Sequence, residues 1–241
     1  RAGRAQTVLK ALVTDVDGTI TDRRRRINTA AIEAIRTLVD SGITVVLASG
    51  NTVCFMDGLC KMIGTDGTII GENGGVYRRT FSGTLNISGD QKVCLAAFEE
   101  LRDYFAEKGI ELELFGAQYR FADVAFARNI DADEARAIIR DRHLPVRVLD
   151  TGFAIHLQVL GVNKGTALRE LAGELGIHPD EMMAIGDSEN DIEMLRAAGV
   201  GVAVRNAPAL TQSAADWVSQ GMYGEGFVEA VKKYYPDLFS R

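Results

Sequence analysis

The sequence predicts an α/β fold, a Rossmann-like parallel-sheet core with an inserted α+β cap domain. In residues 1–81 and 154–241, short apolar strands alternate with helices, which is typical of a parallel sheet covered by helices. In residues 82–153, the strands alternate apolar with polar residues, as in an open sheet with one exposed face. The length of 241 residues accommodates such a discontinuous core and one insert.

The first part of the core contains three predicted strands and two predicted helices. Each strand is a short, continuous apolar run, as expected when both faces of a sheet are covered. The helices are indicated by apolar residues at helical spacing, followed by turn-forming residues. In chain order they are a strand at 8–14, a helix between cap candidates at 27–29 and a stop at Ser41-Gly42, a strand at 43–48, a helix that carries Phe55, Leu59 and Met62 and stops at Gly64, and a strand at 68–70 before the turn-prone residues 72–75.

The insert and the second part of the core follow the same two patterns. The insert is predicted to hold a strand at 85–87, a helix at 93–108 with Phe98, Leu101 and Phe105 on one stripe, strands at 111–115 and 122–128, a helix at 131–141 and a strand at 146–149. A strand at 153–160 follows, in which Ile155, Leu157 and Val159 alternate with His156 and Gln158. The second part then holds a helix from Ala167 to a stop at Gly176, a strand at 182–185, a helix at 191–198, a strand at 200–204, a short helix at 208–214, a short strand at 217–218 and a last helix at 227–235.

Composition excludes several classes of function. With 27 Lys and Arg against 33 Asp and Glu, the net charge is −6, so the chain lacks the basic footprint of a nucleic-acid binder. No apolar run approaches the roughly 18 residues of a membrane span, and residues 1–7 do not lead into a signal peptide. Cys54, Cys60 and Cys94 are odd in number and lack C-x-x-C spacing, which favours reduced thiols in a cytoplasmic protein.

The sequence Asp15-Val16-Asp17-Gly18-Thr19 directly follows the first predicted strand. Ligands of open parallel sheets bind at the carboxyl ends of the strands, where both carboxylates would lie. Such a pair suits covalent phosphoryl transfer, in which one carboxylate attacks phosphorus and the other protonates the leaving oxygen and later activates water. The alternative is an ordinary Asp-Gly turn.

One further strand end and one helix start carry polar residues that suit the binding of a phosphate. Ser49-Gly50-Asn51 offers a hydroxyl, an amide and backbone N–H groups for phosphate oxygens, although it is also a generic turn. Lys164 precedes a helix, where a positive charge is electrostatically disfavoured, so we expect it to neutralise a phosphate and the nucleophile. The alternative is an exposed lysine at a helix start.

The segment Gly186-Asp187-Ser188-Glu189-Asn190-Asp191 holds three acids and an amide after another strand. Mg²⁺ takes one or two carboxylates plus a substrate phosphate, so Asp187 and Asp191 together with Asp15 predict a magnesium site. The alternative is an acid-rich helix cap.

In this order, the four motifs resemble those of the haloacid dehalogenase superfamily of phosphatases, and the insert resembles its type-2 cap, a mobile lid. The resemblance covers essentially the whole chain. Residues 49–51, 63–75 and 224–227 and the short cap are similar to those of archaeal phosphoglycolate phosphatases, although Thr19 departs from the pattern of that group.

The resemblance implies a role for each motif residue. Asp15 would be the nucleophile and a Mg²⁺ ligand, and Asp17 the general acid and base, contacting the metal through its backbone carbonyl. Substrate binding would fall to Ser49, Gly50, Asn51, Lys164 and Asn190. Asp187 would bind Mg²⁺ directly, with Asp191 as a ligand or its support.

The predicted function is Mg²⁺-dependent hydrolysis of a small phosphorylated metabolite, 2-phosphoglycolate, through an aspartyl-phosphate. Sugar phosphates or phosphoglycerate derivatives remain alternatives within the class, and a phosphomutase or a non-catalytic binding module outside it. We expect a cytoplasmic monomer or homodimer that binds neither nucleic acid nor membranes.

Several other polar residues are not assigned to the site. A solvated loop is favoured for Arg23 to Arg26, and surface positions for the insert's Arg120 and Arg142 over binding of a substrate carboxylate. His156, on an alternating strand, is not assigned to the site either.

Overall fold

The computed structural model describes residues 8–240; residues 1–7, to which the signal-peptide prediction refers, and residue 241 lie outside the described part. Its main feature is an eight-stranded sheet in the order β11-β10-β9-β1-β2-β3-β4-β5. The pairs from β11 to β3 are parallel, whereas β4 pairs antiparallel with both β3 and β5 at one edge. The strands are β1 (Ala11–Asp15), β2 (Thr44–Ala48), β3 (Ile69–Gly71), β4 (Val76–Arg78), β5 (Asn86–Ile87), β9 (Met182–Gly186), β10 (Val200–Ala203) and β11 (Trp217–Val218).

Helices cover both faces of this sheet, and each face has its own buried apolar layer. The predicted alternation of strands and helices is therefore confirmed. The covering helices are α1 (Thr29–Asp40), α2 (Val53–Ile63), α5 (Lys164–Leu175), α6 (Ile192–Ala197), α7 (Ala209–Ala214) and α8 (Tyr223–Tyr234).

Two of these helices differ from the prediction. In α2, Phe55 and Met62 are exposed, because the helix packs through the face that carries Met56 and Cys60. Helix α8 begins at Tyr223, four residues earlier than predicted. Its Gly224 reflects close packing and not a turn, since a Cβ there would lie 2.2 Å from the Cβ of Asn28.

A second, smaller unit lies between β5 and α5. We call this unit, residues 91–159, the cap. It holds α3 (Gln91–Glu107), α4 (Ala132–Asp141) and an antiparallel sheet in the order β6-β8-β7, with β6 (Val124–Phe126), β7 (Val146–Asp150) and β8 (Ile155–Val159). The predicted stripe Phe98, Leu101 and Phe105 is buried in the cap's own core.

Two predicted strands of the cap are shorter than expected. Residues 111–115 make only an isolated bridge between Leu114 and Phe126, flanked by two backbone hydrogen bonds. Strand β6 begins at Val124 and not at Ala122, because the N–H groups of residues 121–123 donate to the carboxylate of Glu72. These donors are consequently lost to strand pairing.

Sheet membership also differs from the predicted boundaries at 82 and 153. Strand β5 lies beyond residue 82 yet pairs with β4 in the large sheet, and β8 lies beyond residue 153 yet pairs with β6 and β7. The change from continuous apolar strands to alternating strands indicates how exposed a strand is. It does not indicate to which sheet the strand belongs. The domain division itself stays a prediction.

Within residues 8–240, no helix is long and apolar enough to cross a membrane.

Candidate active site

The site lies at the carboxyl edge of the large sheet, where its central strand ends in Asp15. This residue is only 4% exposed because β1 is flanked by β2 and β9 and covered on both faces. Lys164 starts α5, is fully buried, and donates from Nζ to Asp15 Oδ1 at 2.6 Å and to Asp191 Oδ1 at 2.6 Å. One lysine thus connects the first predicted motif to the last.

Asp15, Asp187 and Asp191 form an acidic cluster in which one oxygen from each lies within 4.8 Å of the others. Asp187 approaches closely because residue 18 is glycine: its φ is +89°, and a Cβ there would lie 2.2 Å from Asp187 Oδ2. Asp15 Oδ2 is buried and has no hydrogen-bond partner among residues 8–240. A buried carboxylate oxygen without a donor fits a hard cation, so this cluster could hold a metal ion.

Burial is the largest cause of the pKa shifts of the carboxyl groups in this cluster. It raises the pKa of Asp15 to about 7, although the charge of Lys164 opposes the shift, and the nearby Asp191 adds to it. It also raises the pKa of Asp187 to about 9, with the charge of Asp15 as the next contribution. For Lys164 burial acts in the opposite direction, but Asp15 and Asp191 raise its pKa above the ordinary value. The charged forms of Asp15 and Asp187 are therefore disfavoured, and a cation bound beside them would favour those charged forms.

Asp17 lies at the mouth of the cluster and is held from two sides. Asn51 Nδ2 donates to Asp17 Oδ2 at 2.9 Å and lies 2.8 Å from Ser49 Oγ. Arg25 Nε donates to Asp17 Oδ1 at 3.0 Å, and the Arg25 guanidinium lies 4.8 Å from the centre of the Phe153 ring in the cap. Arg23 to Arg26 are exposed, as the solvated-loop prediction has it, but that prediction missed the contact of Arg25 with Asp17.

A cavity of about 470 Å³ opens between this edge of the sheet and the cap. Of the predicted site residues, those that line it are Asp15, Asp17, Ser49, Gly50, Asn51, Asp187 and Asn190. Lys164 and Asp191 do not line it; they lie fully buried behind Asp15. The cap contributes Phe115, Arg120, Ala125, Thr151 to Ala154 and His156 to the opposite wall.

Asp187 has two polar neighbours that the sequence did not single out as site residues. Thr19 Oγ1 donates to Asp187 Oδ1 at 3.2 Å, and Asn206 Nδ2 lies 3.3 Å from Asp187 Oδ2 and 2.9 Å from the Gly18 carbonyl oxygen. Thr19 is the last residue of the first motif, and that position could have indicated that it belongs to the site. Asn206 follows β10, another strand of the same edge, and that position is its only signal.

A buried polar junction between the cap and the sheet was also missed. The Glu72 carboxylate accepts from the N–H groups of Phe121, Ala122 and Asp123 at 2.8–3.3 Å. Gln158 Nε2 donates to the carbonyl oxygens of Glu72 and Asn73. Burial, followed by the charge of Asp123, raises the pKa of Glu72 to about 7. The sequence indicated only a turn at 72–75.

The turn at 72–75 has backbone strain that its contacts explain. Glu72 and Asn73 have φ values of +49° and +55°, which side-chain-bearing residues rarely adopt. Asn190 Nδ2 donates to Asn73 Oδ1 at 2.8 Å, and Gly50 passes so close that a Cβ would lie 3.0 Å from the Asn73 amide. The turn thereby connects the cap to two predicted binding residues.

Arg120, expected at the surface, and His156, which the sequence did not assign to the site, lie in the cavity wall. Arg120 Nη1 donates to Asp123 Oδ1 at 2.6 Å and to the Gly50 carbonyl oxygen at 3.1 Å. His156 Nδ1 lies 2.9 Å from Asp123 Oδ2 and 3.3 Å from Asn73 Nδ2. Burial alone would raise the pKa of Asp123, but His156 and Arg120 bring it below the ordinary value. Arg142, by contrast, pairs with Glu100 on the surface, as expected.

Comparisons with known proteins place this site in a family. The model of the haloacid dehalogenase-like hydrolases matches residues 12–145 and 125–231. A phosphoglycolate phosphatase of Methanoculleus marisnigri is 82% identical over 97% of this chain and 100% of its own length. One from Archaeoglobus fulgidus is 43% identical over 92% and 96%. A crystal structure from Thermoplasma acidophilum, 29% identical, covers 95% of this chain and 99% of its own with a TM-score of 0.83.

Proposed function

The chain belongs to the haloacid dehalogenase-like hydrolase family, and we propose that it hydrolyses 2-phosphoglycolate to glycolate and phosphate through an aspartyl-phosphate on Asp15. The substrate is that of its relatives, the phosphoglycolate phosphatases of archaea. The observation that carries the chemistry is the environment of Asp15: one carboxylate oxygen is bound by Lys164, and the other is buried and receives no hydrogen bond from residues 8–240.

Asp15 is the proposed nucleophile. An oxygen of its carboxylate forms a bond to phosphorus while the bond between phosphorus and the glycolate oxygen breaks. The glycolate oxygen takes a proton from the carboxyl group of Asp17. Lys164 and the Ser49 hydroxyl stabilise the charge on Asp15 and on the transferred phosphoryl group, because fixed donors in a site of low dielectric act without reorganisation.

Hydrolysis of the aspartyl-phosphate completes the cycle. The carboxylate of Asp17, now without its proton, accepts a proton from water, and the water oxygen forms the new bond to phosphorus. The bond from phosphorus to Asp15 breaks, which releases inorganic phosphate and restores both carboxyl groups. Asn51 bonds to both Asp17 and Ser49 and so holds the proton-transferring group beside the phosphoryl-binding hydroxyl.

Mg²⁺ is the proposed cofactor, and the oxygen donors at this edge fit it. Asp15 and Asp187 would hold it through their carboxylates and Asp17 through its backbone carbonyl. Asp191 already accepts from Lys164, from the N–H groups of Asp187 and Ser188 and from the Ser188 hydroxyl, so we assign it to support of the ligand loop. When bound, Mg²⁺ neutralises charge on the phosphoryl oxygens and the nucleophile.

The sequence also left open other substrates and other functions, which this proposal must be tested against. A sugar phosphate or a phosphoglycerate derivative would use the same chemistry with a different group against the cap. A phosphomutase shares the first half-reaction, and a non-catalytic module would need none of the contacts around Asp15. The cytoplasmic location and the monomeric or homodimeric state stay predictions.

The test is phosphate release with Mg²⁺ from 2-phosphoglycolate, 3-phosphoglycerate, several sugar phosphates and p-nitrophenyl phosphate. We expect metal-dependent release that is fastest with 2-phosphoglycolate and absent in EDTA or in Asp15→Asn. If phosphate release is fastest with a sugar phosphate, the proposed substrate is wrong and the proposed phosphoryl-transfer chemistry is retained. Isomerised sugar phosphate without free phosphate would indicate a mutase.

A further inference from the structure

The cap's wall of the cavity carries only two titratable side chains among the described residues. Its other lining residues are apolar, small or, at Thr151, hydroxylated. The two exceptions, Arg120 and His156, face a sheet edge that already supplies the groups for phosphoryl transfer. Their chemistry is therefore available for the part of the substrate that does not react.

Within residues 8–240, only one of the three nitrogens of the Arg120 guanidinium, Nη1, donates hydrogen bonds. The side chain is 7% exposed, and Nη1 donates to Gly50 O and Asp123 Oδ1. Nε is buried without a partner, and Nη2 donates to no other residue within 8–240. The two N–H groups of the Nε–Nη2 edge are parallel and match the two oxygens of a carboxylate. An unused charged donor in a buried position costs free energy unless a ligand uses it.

Asp123 holds the Arg120 and His156 side chains in place. It is fully buried and accepts from Arg120 on Oδ1, while its Oδ2 lies 2.9 Å from His156 Nδ1. We assign the proton of Nδ1 to the Asp123 contact, which fixes the orientation of the His156 ring. Asp123 thus positions both side chains in the wall of the same cavity without itself lining it.

The position of Arg120 limits the length of the substrate. Nη1 bonds to the carbonyl oxygen of Gly50, the residue between the proposed phosphoryl-binding Ser49 and Asn51. A group on Arg120 must therefore be separated from phosphorus by only a few bonds. In 2-phosphoglycolate the carboxylate carbon is three bonds from phosphorus, whereas a sugar phosphate offers only hydroxyl groups there.

We propose that Arg120, oriented by Asp123, which His156 in turn holds in place, binds the substrate's carboxylate through its Nε–Nη2 edge and so selects short phosphorylated acids. The inference rests on the proposed function and deepens it by assigning the residues that choose the substrate. Arg120 acts on selection, and the phosphoryl transfer proceeds at Asp15.

The test compares two matched substrate pairs in the holoenzyme with Mg²⁺. The first is 2-phosphoglycolate against 2-hydroxyethyl phosphate, and the second is 3-phosphoglycerate against glycerol 3-phosphate. Within each pair a carboxylate is exchanged for CH₂OH, so the ratio of the two kcat/KM values measures carboxylate selection. We expect Arg120→Met to reduce the ratio about 100-fold, which is the range for loss of hydrogen bonds to a charged group, and His156→Asn, which acts only through Asp123, about tenfold.

Arg142→Met is the matched control, because Arg142 is a cap arginine that does not line the cavity. Its ratio should equal that of the wild type. Arg120→Lys, which keeps the charge but loses the paired donors, should fall between wild type and Arg120→Met. This second variant also guards against a folding defect in the first, and turnover of p-nitrophenyl phosphate reports whether each variant is folded.

The outcomes separate this inference from the proposed function. An unchanged ratio in Arg120→Met, or an equal loss on both members of each pair, overturns the inference while phosphoglycolate hydrolysis stands. A wild type that does not discriminate within either pair also overturns it. A wild type that prefers 3-phosphoglycerate to 2-phosphoglycolate overturns the proposed substrate, and the second pair then decides the role of Arg120.

Discussion

Replacement of Lys164 by Met is expected to destabilise the protein strongly at neutral pH. Lys164 is fully buried and donates to two carboxylates, each at 2.6 Å. Methionine keeps much of the side-chain volume but leaves the buried charges of Asp15 and Asp191 without their cation. Removal of one partner from a buried ion pair costs about 3–5 kcal/mol, and we expect the free energy of unfolding to fall by that amount at pH 8.

The loss should be smaller at pH 5. In the wild type the pKa of Asp15 is already about 7, and Lys164 is among the groups that lower it, so the substitution raises it further. A carboxyl group whose folded-state pKa lies above its unfolded value of about 4 loses stability as the pH rises through that interval. Lys164 itself has a raised pKa, so its contribution in the wild type is constant between pH 5 and pH 8.

Urea unfolding followed by circular dichroism, in EDTA at both pH values, measures this difference. A further rise in the pKa of Asp15 from about 7 to 8 widens the gap between pH 8 and pH 5 by up to about 1.4 kcal/mol, and a rise beyond 8 adds nothing between these two pH values. Lys92→Met, which replaces an exposed lysine of α3, is the control and should change stability little at either pH. A Lys164→Met variant within about 0.5 kcal/mol of the wild type at pH 8 would refute the reasoning, since surface substitutions cause changes of that size.

Three other variants test single contacts of the site. Asp15→Asn should still fold, because Lys164 keeps Asp191 as its charged partner, and should lose roughly 10³-fold or more of its phosphate release, because the attacking carboxylate oxygen is gone; near-normal turnover would exclude Asp15 as nucleophile. Asp187→Ala should raise the Mg²⁺ concentration for half-maximal activity at least about tenfold, and an unchanged titration would remove Asp187 from the metal site. Burial raises the pKa of Glu72 to about 7, above its unfolded value, so Glu72 makes the wild type lose stability as the pH rises from about 4 to 7. Thermal melts of Glu72→Gln at pH 5 and pH 8 should lack this contribution, and a pH dependence equal to that of the wild type would contradict it.

The sheet-edge half of the site could be predicted because its residues follow strands. Asp15 is the last residue of β1, and Ser49 and Asp187 directly follow β2 and β9, the two neighbours of β1 in the sheet. Local apolar patterns identify the strands, and parallel pairing brings their ends to one edge. Lys164 was harder to place, but a lysine at a helix start is electrostatically anomalous and so gave a signal.

The cap half could not be predicted in the same way. Arg120 joins Gly50 across 70 positions of the chain, and Glu72 binds the N–H groups of residues 121–123 across about 50. Alternation along β8 shows that His156 and Leu157 face opposite sides, but not that both sides are covered. Only docking of the cap onto the turn at 72–75 buries His156, and no local pattern reports that docking.

The cap contacts the sheet through a buried junction and an exposed rim of unequal strength. The junction at Glu72 and Gln158 is buried and consists of several hydrogen bonds, to which Arg120 adds its bond to Gly50, whereas Arg25 meets Phe153 on an exposed rim. Exposed cation–ring contacts are worth only about 0.5–1 kcal/mol, so the rim contributes little to holding the cap in place. The same Arg25 also bonds to Asp17, the carboxylate that we propose transfers the proton. The position of the cap and the surroundings of that carboxylate are thereby linked through one exposed side chain.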